Sequence, residues 1–269
     1  MAKKRLDVLL VEQGLADSRQ KAQAMIMAGQ IYAGERRCDK AGQTLDDGTV
    51  LEIRGQAIPY VSRGGLKLEK AMKSFPITLK DKIAADIGAS TGGFTDCMLK
   101  NGASKVYAVD VGYGQLAWAI RNDPRVVCLE RTNARYLTRE QIPEPLDFAS
   151  VDVSFISLGL ILPALRPLLR DGGEAVALVK PQFEAGREKV GKKGVVRDPA
   201  IHLEVLGQFL YQADQSDFSV KELDFSPIRG PEGNIEYLGY LCVGRGGNRC
   251  GDLKELVRKS HEALKGGGQ

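Results

Sequence analysis

Five segments of the chain end in residues able to do chemistry, and each stands just after a short apolar run. Ile83–Ile87 contains Asp86 and leads into Gly88-Ala-Ser90-Thr-Gly92-Gly93-Phe94. Val106–Val109 is followed by Asp110, Val126–Leu129 by Glu130 with Asn133 close behind, and Phe148–Val151 by Asp152. Ala175–Val179 is followed by Lys180 and at once by a proline. Apolar runs of this length read as buried parallel strands. In a doubly wound sheet the carboxyl ends of such strands open on one crevice, so the spacing predicts that these polar residues gather there. A lysine at the end of a buried run is partly desolvated and near an acid. Desolvation lowers a lysine pKa and a carboxylate raises it, so Lys180 can be poised as a base.

The glycine-rich turn after the first run lets a ligand approach the backbone and meet the N-terminus of a helix. A dinucleotide fingerprint needs G-x-G-x-x-G, but Ser90 stands at the middle glycine and an acid, Asp86, closes the strand. A phosphate beside that carboxylate is disfavoured, whereas a cation is welcome. S-adenosylmethionine carries an ammonium and a sulfonium and no phosphate. Asp110 lies 24 residues after Asp86, close to the spacing at which a carboxylate receives a ribose diol. Glu130 and Asn133 stand where an adenine edge would be held; read otherwise, they are capping and turn residues. Together these positions fit a nucleoside-containing cofactor with no phosphate loop.

The elements that must position these residues form an α/β chain. Between the runs lie helical patterns near 92–101, 114–121, 156–169 and 199–213, which predicts a doubly wound, Rossmann-like sheet. Val220–Phe225 and Ile235–Val243 are joined by a bridge rich in proline and glycine and read as an antiparallel pair. Residues 5–54 read as a separate helix-helix-strand α+β unit, with Asp17 or Ser18 capping the second helix and Gly55–Pro59 as a linker. After Val243 a glycine-rich stretch leads to one amphipathic helix containing Leu253, Leu256, Val257 and Leu264.

The net charge is only +4, but it is unevenly placed. Residues 60–82 and 180–197 each hold six Lys or Arg against two acids, and two such blocks point to a polyanionic partner. The five cysteines are scattered without a CxxC pair and only two histidines are present. A zinc site, a disulfide framework and a histidine-dependent hydrolase are therefore not expected, and no metal is. No apolar stretch is long enough for a membrane span, and none follows the basic N-terminus as a signal peptide would require. A cytoplasmic protein with no membrane partner is the expectation.

Longer motifs carry a resemblance. The first 58 residues look like an S-four-type RNA-binding domain. Tyr60-Val-Ser-Arg63-Gly-Gly-Leu-Lys67-Leu, the Asp86 loop, Val151-Asp-Val-Ser-Phe-Ile-Ser157, Val179-Lys-Pro-Gln-Phe-Glu184 and Ile235-Glu236-Tyr-Leu resemble the TlyA family. That family consists of ribosomal RNA 2′-O-ribose methyltransferases with an FtsJ/RrmJ-like catalytic domain, sometimes called haemolysins. The resemblance implies domains at 1–58 (RNA-binding), 59–64 (linker), 65–245 (methyltransferase) and 246–269 (C-terminal tail). It carries the family's Lys-Asp-Lys-Glu tetrad onto Lys67, Asp152, Lys180 and Glu236. Asp86, Gly88 and Asp110 fall on cofactor positions, with Ser90, Gly92, Gly93 and Phe94 in the same loop. One departure is Ser90-Thr91, where the wider FtsJ group more often has alanine-proline.

What the resemblance implies is one in-line methyl transfer from S-adenosylmethionine to a ribose 2′-hydroxyl of ribosomal RNA, with cytidine as the nucleoside and ribosomal subunits as the substrate. Lys180 takes or steers the hydroxyl proton, Asp152 and Glu236 hold its orientation, and Lys67 stabilises the oxygen. Arg5, Arg19, Lys21, Arg36 and Arg37 would dock RNA phosphates, while Arg63, Lys189, Lys192 and Lys193 would line the path to the site. The glycine-bounded stretch 186–194 is expected to order on RNA. Three other classes compete, of which an NAD oxidoreductase is disfavoured by Ser90 and by the absence of a suitable hydride-transfer site. A catalytically idle assembly factor is expected to have lost a tetrad member, and none is missing; a haemolysin is expected to show an export signal or a membrane segment. The oligomeric state is left open, with a monomer compatible.

Overall fold

The computed structural model describes residues 3–27, 29–38, 40–54, 58–230 and 232–265. The expected linker residues Gly55–Ala57, Pro231 of the expected turn and the last four residues lie outside them. The chain divides into two compact units between Gly64 and Gly65.

The first unit contains β1 (Lys3–Arg5), α1 (Leu6–Glu12), α2 (Arg19–Met27), β2 (Ile31–Ala33), β3 (Arg36–Arg37), β4 (Thr44–Asp46) and β5 (Leu51–Ile53). β1 pairs antiparallel with β4, and β2 lies between β3 and β5. Leu6, Leu9 and Leu10 on α1 and Ala22 and Ile26 on α2 follow helical spacing, and they pack with Ile31, Cys38 and Leu51 into a small core. Ser18, one of the two expected caps, accepts from the Lys21 N–H at 3.2 Å. Asp7 is fully buried in this core. It is tolerated because Arg5, Arg19 and Gln23 all donate to its carboxylate at 2.8–3.1 Å. The Arg5 guanidinium leads in holding that carboxyl far below the usual range, against the opposing effect of burial.

The second unit is a seven-stranded sheet. Its elements are α3 (Gly64–Ser74), β6 (Ile83–Ile87), α4 (Gly93–Lys100), β7 (Lys105–Val109), α5 (Trp118–Arg121), β8 (Val126–Leu129), β9 (Leu146–Val151), α6 (Leu162–Leu165), β10 (Leu169–Val179), α7 (Pro181–Glu184), α8 (Pro199–Gln215), β11 (Phe218–Phe225), β12 (Tyr237–Val243) and α9 (Leu253–Ala263). The strand order is β11-β12-β10-β9-β6-β7-β8. β8, β7, β6, β9 and β10 are parallel neighbours, and β12 runs antiparallel to both β10 and β11. The chain moves outward one way through β6, β7 and β8 and the other way through β9 and β10. The carboxyl ends of β6 and β9 therefore flank the switch point at which such sheets bind ligands.

Two expected helices come out shorter. The 114–121 pattern becomes only the single turn of α5. The 156–169 pattern breaks into α6 between the 3₁₀ turns Leu158–Leu160 and Arg166–Leu168. Pro163 sits in the first turn of α6 and Pro167 at the second break, and each removes a backbone donor that a continuous helix would need. The fifth strand is longer than its apolar run, because β10 reaches back through Gly172 and Gly173 across a register shift between Leu169 and Glu174.

Candidate active site

Lys67, Asp152, Lys180 and Glu236 are 169 residues apart at their extremes, yet they form one continuous array. Lys67 is carried by α3, Asp152 follows β9, Lys180 follows β10, and Glu236 immediately precedes β12. The Lys180 Nζ lies 2.6 Å from Asp152 Oδ1, and the Lys67 Nζ lies 3.7 Å from Asp152 Oδ2. Lys67 also donates to Glu236 Oε2 at 2.7 Å. The order in space is therefore Glu236, Lys67, Asp152, Lys180, with alternating charge. Lys67 and Lys180 side chains are 9% exposed, Glu236 1% and Asp152 19%, so the array opens to solvent mainly at Asp152. Burial works to raise the Asp152 pKa, and the charges of Lys67 and Lys180 overcome it and hold the carboxylate ionised.

Two partners escaped the sequence reading. The Ser154 Oγ accepts from Lys180 Nζ at 3.1 Å, fixing the amine from a second side. Gln182 donates a long 3.5 Å contact to Glu236 Oε1. Both lie inside motifs already singled out, two residues after Asp152 and after Lys180. What hid them is that neutral side chains carry no charge pattern. Phe155 is 90% exposed with φ +63°, and its ring packs on Phe183 at 4.9 Å beside Lys180.

The β6–α4 turn abuts this array. Gly88 has φ +88°, and a Cβ there would stand 2.4 Å from the Asp152 carbonyl oxygen, so glycine alone permits the contact. The Asp152 N–H in turn donates to Ile87 O at 2.8 Å. Gly92, also at positive φ, makes room for Leu116. Gly92, Gly93 and Phe94 are buried and shape the turn, while Gly88 and Ser90 keep solvent exposure.

Asp86 is placed differently from the expectation of a carboxylate facing a cation. It is 1% exposed, accepting from Thr95 N and Oγ1 on α4 at 2.9 and 2.7 Å and from Ser150 Oγ on β9 at 2.8 Å. Its task is to fasten α4 to two strands. Burial pushes its pKa up to about 6, against those hydrogen bonds. Asp110 stands at the end of β7, half-buried, with one oxygen accepting from Ser90 N and the other from Gly112 N, both at 2.7 Å. Glu130 accepts from Gly114 N at 2.7 Å and pairs with Arg121. Asn133 caps the 3₁₀ turn Ala134–Tyr136 through Arg135 N. The last two thus have structural partners of the capping and turn kind.

The donor set suits a cofactor such as S-adenosylmethionine. Acids line the strand ends at Asp110, Glu130 and Asp152, and the turn 88–96 contains no Lys or Arg to receive a phosphate. Among the described residues no cluster of His, Cys, Asp or Glu could hold a metal ion.

The basic residues fall into two groups. Arg5 and Arg19 spend part of their guanidinium on Asp7, and Lys21 pairs with Asp17. Arg36 and Arg37 are exposed on β3, and Arg63 lies half-buried at the end of the first unit. In the second unit Lys189 pairs with Glu204, while Lys192 and Lys193 are exposed within a turn closed by Gly194 N donating to Gly191 O.

Comparison with known proteins adds to this geometry. The S4 domain pattern matches residues 4–51, and the pattern of FtsJ-like methyltransferases matches residues 60–243. YqxC of Bacillus subtilis, provisionally named an rRNA methyltransferase, is 55% identical over 98% of this chain and 96% of its own length. The 16S/23S rRNA (cytidine-2′-O)-methyltransferase TlyA of Mycobacterium tuberculosis is 42% identical over 98% of each chain. Hemolysin A of Brachyspira hyodysenteriae is 42% identical over 89% of this chain and all of its own. A solved structure from Streptococcus thermophilus, provisionally named a hemolysin, aligns over 98% of both chains at 51% identity with a TM-score of 0.78.

Proposed function

The chain belongs to the FtsJ-like methyltransferases and, through its full-length relatives, to the TlyA family, and from that premise we propose that it methylates a ribose 2′-hydroxyl of ribosomal RNA within ribosomal subunits. S-adenosylmethionine is its cofactor. When bound, that cofactor supplies an electrophilic methyl group on a sulfonium. Asp110 would hold its ribose diol, and the turn from Gly88 to Ser90 would take its amino-acid end. The observation that carries the reading is the alternating array, which holds the Lys180 amine against Asp152, the member most open to solvent.

A 2′-hydroxyl is far too weak an acid to ionise at neutral pH, so its proton must leave as the O–C bond forms. Lys180 stands ready to receive it, held on two sides by Asp152 and Ser154. With Lys180 in its neutral form, the O–H bond breaks toward Nζ as the oxygen takes the methyl group and the methyl–sulfur bond breaks, and the ammonium so formed, held by Asp152, passes its proton to solvent. Lys67, braced by Glu236, stabilises the oxygen as its charge grows and keeps Asp152 from turning away. Two amines and two carboxylates this close titrate as one set. Fixing the hydroxyl against the electrophile supplies much of the acceleration.

The first unit is the RNA-binding module, and Arg36 and Arg37, exposed on β3, would meet phosphates there. Lys192 and Lys193 of the second unit would meet the same backbone near the site. Action on ribosomal RNA makes the cytoplasm its place of work, and nothing in the array requires a second copy. The hemolysin name of some relatives finds no counterpart here in a membrane helix: among the described residues no helix is long and apolar enough to cross one. The test is methyl-labelled S-adenosylmethionine with small and large subunits, separately, from cells lacking the modification. The expected product is labelled 2′-O-methylcytidine. No label on either subunit, with cofactor binding intact, overturns the proposal.

A further inference from the structure

Glu236 follows the turn that Gly230 N closes on Asn234 O and immediately precedes β12, and that turn is held by groups outside the tetrad. We propose that Asn234 is a positioning residue for Glu236, fastening it to the inner end of the basic stretch 187–197, so that the seat of that stretch governs methyl transfer. The inference rests on the methyltransferase reading above and adds to it a route from RNA contact to the tetrad.

Asn234 is 2% exposed and uses both ends of its amide. Its Nδ2 donates to Gly194 O at 2.8 Å, its Oδ1 accepts from Val196 N at 2.9 Å, and its own carbonyl accepts from Gly230 N at 2.9 Å. The remaining polar group of Val196, its carbonyl, accepts from His202 Nε2 at 3.0 Å. His202 Nδ1, the acceptor in that tautomer, lies 2.8 Å from the hydroxyl of Tyr237. Residues 194–196 are therefore stapled to the chain on both sides of Glu236, at Asn234 and at Tyr237.

The staple joins unlike environments. Val195 and Val196 are buried, whereas Lys192 and Lys193 just before them are exposed, and Gly194 turns the chain between the two at φ +71°. Contact of those lysines with a phosphate backbone pulls on a segment whose inner end is pinned to the Glu236 turn. Little slack is available there: a Cβ on Gly230 would stand 2.6 Å from Glu236 Oε1. A shift of the turn is thus a shift of the carboxylate, and through Lys67 it reaches Asp152.

The experiment uses the full chain with Asn234→Ala and Asn234→Asp, read by steady-state transfer to subunits and by amide exchange at Val196. The expectation for Asn234→Ala is a fall in kcat of about tenfold or more, the scale on which small misplacements act. KM for the cofactor should stay within about twofold and Val196 exchange should quicken. Asn234→Asp keeps the acceptor for Val196 N and should recover part of kcat; it also serves alone should the alanine variant not fold. An unchanged kcat with fast Val196 exchange overturns the proposal, as does a loss shared equally by cofactor binding. Wild-type protein that transfers no methyl contradicts the methyltransferase reading instead, and unaltered Val196 exchange in the variants would then still refute the staple.

Discussion

Two carboxylates at neighbouring strand ends, buried Asp86 and partly open Asp152, differ in what surrounds them. Asp152 has two ammonium groups within 4 Å and stays ionised; Asp86 has only neutral donors and is pushed up to about 6. The folded chain therefore keeps a proton on Asp86 at a pH where the unfolded chain has lost it. Its contribution is most favourable below about pH 4 and declines as pH rises through 6, by on the order of 3 kcal/mol. Asp86→Asn should remove that decline, raising the urea midpoint at pH 7 relative to its value at pH 4, compared with the parent. An equal pH slope in both proteins would refute this account of Asp86. Lys180 yields a sharper contrast. Lys180→Arg keeps the charge beside Asp152 but cannot take a proton at neutral pH, so kcat should fall by about 10²–10⁴ while cofactor binding is retained. Cofactor binding lost in parallel would make Lys180 structural.

At the scale of elements, the β6–α4 turn ties cofactor and tetrad together. Gly88→Ala meets both an unfavourable φ and the Asp152 carbonyl, costing about 1–3 kcal/mol for strain alone. It should also depress transfer more than the stability loss explains, because Asp152 moves; normal kcat in the folded variant would contradict that contact. The parallel strands could be read in advance because burial on both faces makes each one a continuous apolar run, as in Ile83–Ile87 and Ala175–Val179. The segment 156–169 could not, since its apolar spacing is helical while two prolines cut the hydrogen bonds that would sustain a helix. Charged tetrad members stood out at strand ends and in long motifs. Asn234, His202 and Ser154 did not, because a lone neutral residue beside turns looks the same whether or not it spans two segments. Asp86 misled for a related reason: a strand-end acid reads as facing the crevice, and only the packing shows Thr95 and Ser150 closing around it.

Over the whole molecule, charge is divided between a small RNA-binding unit and a catalytic unit with its own basic stretch. Arg19, pinned to fully buried Asp7, is a poor probe of RNA contact, because its loss leaves that carboxylate short of a donor and unsettles the small core. Arg36→Glu with Arg37→Glu is cleaner. The pair should weaken subunit binding steeply and reduce the dependence of log affinity on log salt by about 2, with cofactor affinity unchanged. Salt dependence equal to the parent would remove β3 from the RNA interface. The central claim is that an amine-centred array acts on a ribose oxygen, and its most direct test is where the methyl group lands. Labelled subunit RNA should be hydrolysed in alkali, which needs a free 2′-hydroxyl to cut the chain. The account predicts label in an alkali-resistant dinucleotide. Label released quantitatively as a single methylated-base nucleotide would contradict it.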